Sequence, residues 1–155
     1  TLDLVRSAGE HDLILALVSG GGSALFEAPR PPATLADVVA TTDLLLRAGA
    51  PIQHLNAVRT PLSQVKGGGL RSAAPTTRFA TLVLSDVLGN DLRTIASGPT
   101  IPGDPLPDRA LGLLDRYHLL DRVPVAVLDV LRDRGRDEAA SILSAAEDVT
   151  AIVGD

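Results

Sequence analysis

One pattern, met three times, constrains the fold more than any other feature. Leu13-Ile-Leu-Ala-Leu-Val18 is a continuous apolar run that stops at Ser19-Gly20-Gly21-Gly22-Ser23. Phe79-Ala-Thr-Leu-Val-Leu84 stops at Ser85-Asp86, and Val149-Thr-Ala-Ile-Val153 stops at Gly154-Asp155. Runs this short, apolar throughout and closed by small polar residues, read as buried strands of a parallel sheet, each leading into a tight turn. Helical stretches separate them. Thr34 suits the N-cap of a helix to about Ala48, with Asp37 at its third position and Gly49 as its stop. Further helices are expected over Thr1–Ala8 and over Asn56–Val65, the latter bent or interrupted at Pro61. A helix capped by Asp108 should run through Tyr117, one with Pro124 in its first turn should end near Gly135, and Arg136–Ala146 adds another. The proline-rich stretches Phe26–Ala33 and Ile95–Pro107 are expected to be loops at the carboxyl edge of the sheet. Strands alternating with helices predict an α/β fold: a three-layer α/β/α, mostly parallel, doubly wound and Rossmann-like sheet with right-handed crossovers. Ligands of such sheets gather at the carboxyl ends of the strands.

Composition narrows the partners. Of the residues 45% are hydrophobic, yet there are only two Phe, one Tyr and no Trp, so the core is aliphatic and suits helix-on-sheet packing. Net charge is −5 with arginines scattered among acids, which argues against nucleic acid or an anionic membrane as a partner of the whole surface. Any anion must be held by a local pocket. Cysteine is absent, so disulfides and thiolate chemistry are excluded. No apolar run has the length of a membrane span, and the first residues lack the features of a signal peptide; the expected location is cytoplasmic. The chain contains no Met and opens inside a helical stretch, so a piece of a longer polypeptide is expected.

Three segments carry the candidate chemistry. In Ser19-Gly20-Gly21-Gly22-Ser23, backbone amides free of intervening Cβ atoms can close around an anion, a cradle for phosphate. A helix starting there would add its free amides. The dinucleotide fingerprint fails at Leu25, the P-loop lacks its Gly-Lys, and no Gly-x-Ser-x-Gly elbow exists. In the second segment, Asn56, Arg59 and Ser63 stand at spacings of three and four and so share one helix face, and Lys66 follows beside Gly67, Gly68 and Gly69. Arg59 offers a fork and Lys66 a point charge for carboxylate or phosphate oxygens; solvated surface cations are the alternative. In the third segment, Asp86 at a strand end could hold Mg²⁺ or accept a substrate proton. Alternatively, Asp86 or Asn90 forms an Asx-turn. Ser97, Gly98 and Thr100 stand close by in Ala96-Ser97-Gly98-Pro99-Thr100 and are either structural or in contact with the ligand. His11, His54 and His118 show no metal-ligand spacing.

Taken in order, Val18-Ser-Gly-Gly-Gly-Ser-Ala-Leu25, Asn56-Ala-Val-Arg59, Leu62-Ser63, Lys66-Gly-Gly68, Leu84-Ser-Asp-Val87 and Ile95-Ala-Ser-Gly-Pro-Thr100 resemble the N-terminal domain of the type II glycerate kinases. Some members of that family carry the name hydroxypyruvate reductase. The resemblance implies a single nucleotide-binding domain over 1–155, with a second domain elsewhere. It also implies ATP and Mg²⁺ as cofactors, glycerate as the small-molecule substrate, and transfer of a phosphoryl group to it. Gly20–Ser23 then bind phosphate, with Ser19, Asn56, Gly67, Gly68, Ser97, Gly98 and Thr100 around the nucleotide. Arg59 and Lys66 flank substrate or phosphates, and Asp86 stands near metal or the reacting hydroxyl. Homo-oligomerisation is left open. Two departures reduce the positive charge: Thr60-Pro61 replace the family's Lys-His, and Gly69 replaces its Arg. Cations of this kind stabilise a transferring phosphoryl group. Alternatives are a hydroxypyruvate reductase, as the name of some members suggests, and a domain that binds anions without chemistry, which the two departures favour.

Overall fold

Residues 1–85, 91–103, 106–137 and 148–154 are described by a computed structural model. The chain forms two compact units. One, comprising Thr1–Glu27, Val65–Gly103 and Ile142–Asp155, contains the sheet; the other, Ala28–Gln64 and Asp104–Ser141, is helical.

The sheet unit has three parallel strands, β1 (Leu13–Ser19), β2 (Arg78–Leu84) and β3 (Val149–Gly154), in the order β1-β2-β3. All three lie where the apolar runs predict them. The register pairs Ser19 with Leu84, so the glycine turn and Ser85 leave the sheet at one rim. Short helices accompany the strands: α1 (Leu2–Arg6), α2 (Gly22–Leu25) and α5 (Gly69–Ser72), with a 3-10 turn at Ile95–Ser97.

One face of β2 is covered. Phe79, Thr81 and Val83 are buried, the Arg71 guanidinium lies 4.9 Å from the centre of the Phe79 ring, and Thr81 Oγ1 donates to Thr100 Oγ1 at 3.0 Å. The opposite face is not. Leu13, Leu15 and Leu17 of β1 are 59%, 59% and 74% exposed, and Val149 of β3, on the same face across β2, is 65% exposed. Continuous apolar runs predict burial on both faces; here the accompanying helices are only four or five residues long, and the described residues leave that face open.

The helical unit packs α3 (Leu35–Arg47), α4 (Ile52–Arg59), α6 (Pro107–Arg116) and α7 (Val125–Asp137) around Leu45, Val58, Leu62, Leu114, Leu119, Val127 and Leu131, all essentially inaccessible. Each such side chain contributes about 1.5–3 kcal/mol by leaving water. His54 Nδ1 and the Tyr117 hydroxyl, 2.8 Å apart, tie α4 to the end of α6.

Three helix boundaries differ from expectation. α4 begins at Ile52 and ends at Arg59, because Pro61 has no N–H with which to extend the ladder. Ser63 therefore does not share a helix face with Asn56 and Arg59; it is buried and forms a bridge with Pro29. α6 carries Pro107 at its first position with Leu106 as N-cap, so Asp108 lies in the first turn instead of capping it. The helix expected over Arg136–Ala146 falls largely outside the described residues, α7 itself reaching Asp137.

The start of α3 forms as its sequence predicts. The Thr34 hydroxyl accepts from the Asp37 amide at 3.3 Å, while Asp37 Oδ2 accepts from the Thr34 amide at 2.8 Å and from its hydroxyl at 2.6 Å. The hydroxyl and then the amide of Thr34 hold the Asp37 carboxyl below its ordinary value. A depressed native pKa stabilises above the unfolded pKa and is lost as pH falls through the native one. Asp37→Asn is thus expected to lower Tm at neutral pH, and the difference from the parent should shrink as the pH is taken below 4, the ordinary carboxylate range (about 3.9 for Asp). A Tm difference constant from pH 7 to pH 2 would contradict this.

Candidate functional site

The glycine turn follows β1 directly. Gly21 is left-handed, with φ +76°, and among the described residues no atom beyond its chain neighbours lies within 4 Å of where its Cβ would stand. Only glycine adopts that conformation without strain, and the space beside it is open to a ligand. Gly22 has a different reason: its Cβ would meet the Ala96 Cβ at 3.1 Å. Ser23 ends the turn inside α2, and its hydroxyl lies 2.6 Å from that of Ser97.

Ser97 belongs to a strained stretch. Ala96, Ser97 and Gly98 all have positive φ, at 50°, 63° and 55°. Left-handed non-glycine residues persist only where their surroundings hold them, and they cluster at functional sites. Here the Gly67 amide donates to Ser97 O and the Gly68 amide to Gly98 O, both at 2.8 Å. Gly68, at φ +80°, packs so closely that its Cβ would stand 2.9 Å from Ile101 O and 2.9 Å from Pro102 Cα. Gly67 and Gly68 therefore face the backbone of the Ser97–Gly103 segment. Thr100 is buried and bonded to Thr81 beneath the sheet.

Lys66 is buried, its side chain 1% exposed. Its Nζ donates to Ser23 O at 2.7 Å and Phe26 O at 2.8 Å, and it lies 3.5 Å from Glu27 Oε2. The cation that the sequence offers to an anion thus reaches the segment following the glycine turn.

Residues 1–132 match the family described as a domain of unknown function, DUF4147. The chain belongs to the DUF4147 family. It is 49% identical over 129 residues to glycerate kinase of Danio rerio, an alignment covering 83% of this chain and 26% of that one. A relative in Agrobacterium vitis, named provisionally a hydroxypyruvate reductase, is 47% identical over 131 residues, covering 84% and 34%. Among solved structures, glycerate kinase of Thermotoga maritima superposes with a TM-score of 0.85 at 35% identity, covering 99% of this chain and 35% of that one. The DUF4147 chain thus spans about a quarter to a third of the length of these relatives.

The other predicted residues of this DUF4147 chain are spread across the two units. Ser19, the last residue of β1, and Ser85 stand at the rim of the sheet. Asn56 and Arg59 lie one turn apart on α4, in the helical unit. Asp86 and Asn90 lie outside the described residues. Asp91, just after them, forms a turn, accepting from the Arg93 amide at 3.1 Å and the Thr94 hydroxyl at 2.8 Å. The Thr94 hydroxyl and then the Arg93 amide hold its carboxyl below the ordinary value. Among the described residues no group of three or more His, Asp and Glu could hold a metal ion, and no helix is long and apolar enough to cross a membrane. Glu27, the partner of Lys66, carries no signal in the sequence: it sits in a loop and belongs to no motif.

Proposed function

We propose that the complete protein phosphorylates glycerate, moving the γ-phosphoryl group of ATP to a glycerate hydroxyl oxygen, which gives up its proton as ADP leaves, in the cytoplasm. The observation that carries this is the glycine turn at the carboxyl rim of the sheet, with left-handed Gly21 beside open space, in a chain so similar to a glycerate kinase. In this reading the amides around Gly20–Ser23 hold phosphate oxygens, and the Ser97 hydroxyl orients Ser23. Arg59 offsets negative charge, and Asp86 orients the hydroxyl or holds Mg²⁺, as the resemblance implies. Phosphoryl transfer of this class relies on a metal to neutralise developing charge. Mg²⁺ would supply that neutralisation when bound; the described residues alone do not form a set of ligands for it, and Asp86 is the residue the resemblance offers.

The name of the Agrobacterium relative favours a second reading, reduction of hydroxypyruvate. Leu25, standing where a dinucleotide fingerprint needs a small residue, speaks against it. Incubating the complete protein with ATP and glycerate should yield phosphoglycerate, whereas NADH oxidation with hydroxypyruvate and no kinase activity would select the reductase.

Gly21→Ala probes the cradle directly. Its Cβ meets no protein atom but fills the open space, so stability should fall by only the left-handed penalty of about 1–2 kcal/mol. ATP affinity should fall about tenfold or more, since the backbone could no longer be approached closely. Wild-type affinity in that variant would place the phosphates elsewhere.

A further inference from the structure

A buried ammonium beneath a ligand-binding turn needs a physical reason. Lys66 is 3% exposed, and an ion taken out of water is costly unless it is paired and fully hydrogen-bonded. Ser23 O, Phe26 O and Glu27 Oε2 all lie within 3.5 Å of its Nζ, acceptors for an ammonium's N–H donors. Glu27 supplies the countercharge, its own side chain 7% exposed. The two carbonyls lie in and just after α2, a helix too short to satisfy its last carbonyls internally.

The same segment is held from a second direction. The Ser23 hydroxyl meets that of Ser97, and Ser97 O accepts from the amide of Gly67, the residue after Lys66. Lys66, Ser23, Ser97 and Gly67 therefore form a closed circuit that fixes the turn's last residue at both its carbonyl and its hydroxyl.

We propose that Lys66 and Glu27 form a buried clip that sets the Gly20–Ser23 turn, making Lys66 a positioning residue that does not itself touch the transferred phosphoryl group. What the turn binds rests on the kinase reading; the clip does not. The test uses the complete protein and the variants Lys66→Met, Glu27→Gln and the double variant Lys66→Met/Glu27→Met. The double variant removes both charges, so that it folds even if the first leaves Glu27 buried and alone.

In steady-state kinetics well below Tm, the KM for ATP is expected to rise about tenfold or more in both Lys66 variants, the size of a lost charge-assisted hydrogen bond, with kcat and the KM for glycerate little changed. Glu27→Gln should move the same constant less. The double variant should recover Tm without recovering the KM for ATP. A fall in kcat alone would mean direct contact with the transferred group, and recovery of KM together with Tm would mean a purely structural pair; either overturns the proposal. Amide exchange at Ala24 and Phe26 should quicken in the double variant, and unchanged exchange also overturns it. Should the wild type neither bind ATP nor phosphorylate glycerate, the kinase reading fails, and the exchange rates alone decide the clip.

Discussion

Gly68→Ala is expected to destabilise the protein by about 2–5 kcal/mol, the sum of a left-handed penalty and an overpacking cost. The φ of +80° is unfavourable for any residue bearing a Cβ, and the space where that Cβ would go is already occupied. At 2.9 Å from both Ile101 O and Pro102 Cα, and 3.3 Å from Gly103 N, the new methyl would meet backbone, which cannot swing aside as a side chain would. Relief requires the Ser97–Gly103 segment to move away. That movement would break the paired bonds from Gly67 to Ser97 and from Gly68 to Gly98. Gly49→Ala is the control. Gly49 has almost the same φ, +74°, but nothing lies within 4 Å of its Cβ position, so only the left-handed penalty of about 1–2 kcal/mol applies. Denaturant titration of the two variants separates conformation from collision. Equal losses would show that the close approach of the two backbones contributes nothing.

The contrast between these two glycines also marks what the sequence made legible. Gly49 follows a capped, amphipathic helix, so local pattern alone identifies it as a stop. Gly68 is conspicuous in sequence too, but its partner segment lies some thirty residues further on, and nothing local announces a meeting of two backbones. The strands were legible because an unbroken apolar run has few other uses, and the turn after β1 because three glycines in a row leave little choice. Their exposure was not: unbroken apolar runs point to burial on both faces, whereas Leu13, Leu15 and Leu17 are exposed. Lys66 was legible as an important cation and illegible in its use. Sequence reasoning offers a lysine beside glycines to an anion, and nothing in the local pattern announces its contacts with Ser23 O, Phe26 O and Glu27. Of the two effects open to Pro61, bending a helix that reaches Val65 or interrupting it, the interruption holds: α4 ends two residues before the proline.

Arg71→Met is expected to cost about 3–5 kcal/mol, the range for breaking a buried ion pair by removing one partner. Arg71 is 4% exposed and joins three parts of the sheet unit at once. Its Nε donates to Asp148, the residue just before β3, its Nη1 donates to Ala74 O at 2.8 Å, and its guanidinium lies over the Phe79 ring. Asp148 in turn accepts from the Phe79 amide at 3.0 Å, so one carboxylate links α5, β2 and β3. Seventy-seven residues separate this arginine from its carboxylate, which is why no motif joins them. Asp148→Asn should cost less, because the amide oxygen still accepts one bond. The double variant Arg71→Met/Asp148→Asn should cost less than the two losses added, since neither charge is then left alone. Amide exchange along β3 should quicken before that of β1, because β3 is the strand whose start the carboxylate anchors. A loss under about 0.5 kcal/mol for Arg71→Met, typical of an exposed surface pair, would mean that β3 is held by its ladder to β2 alone.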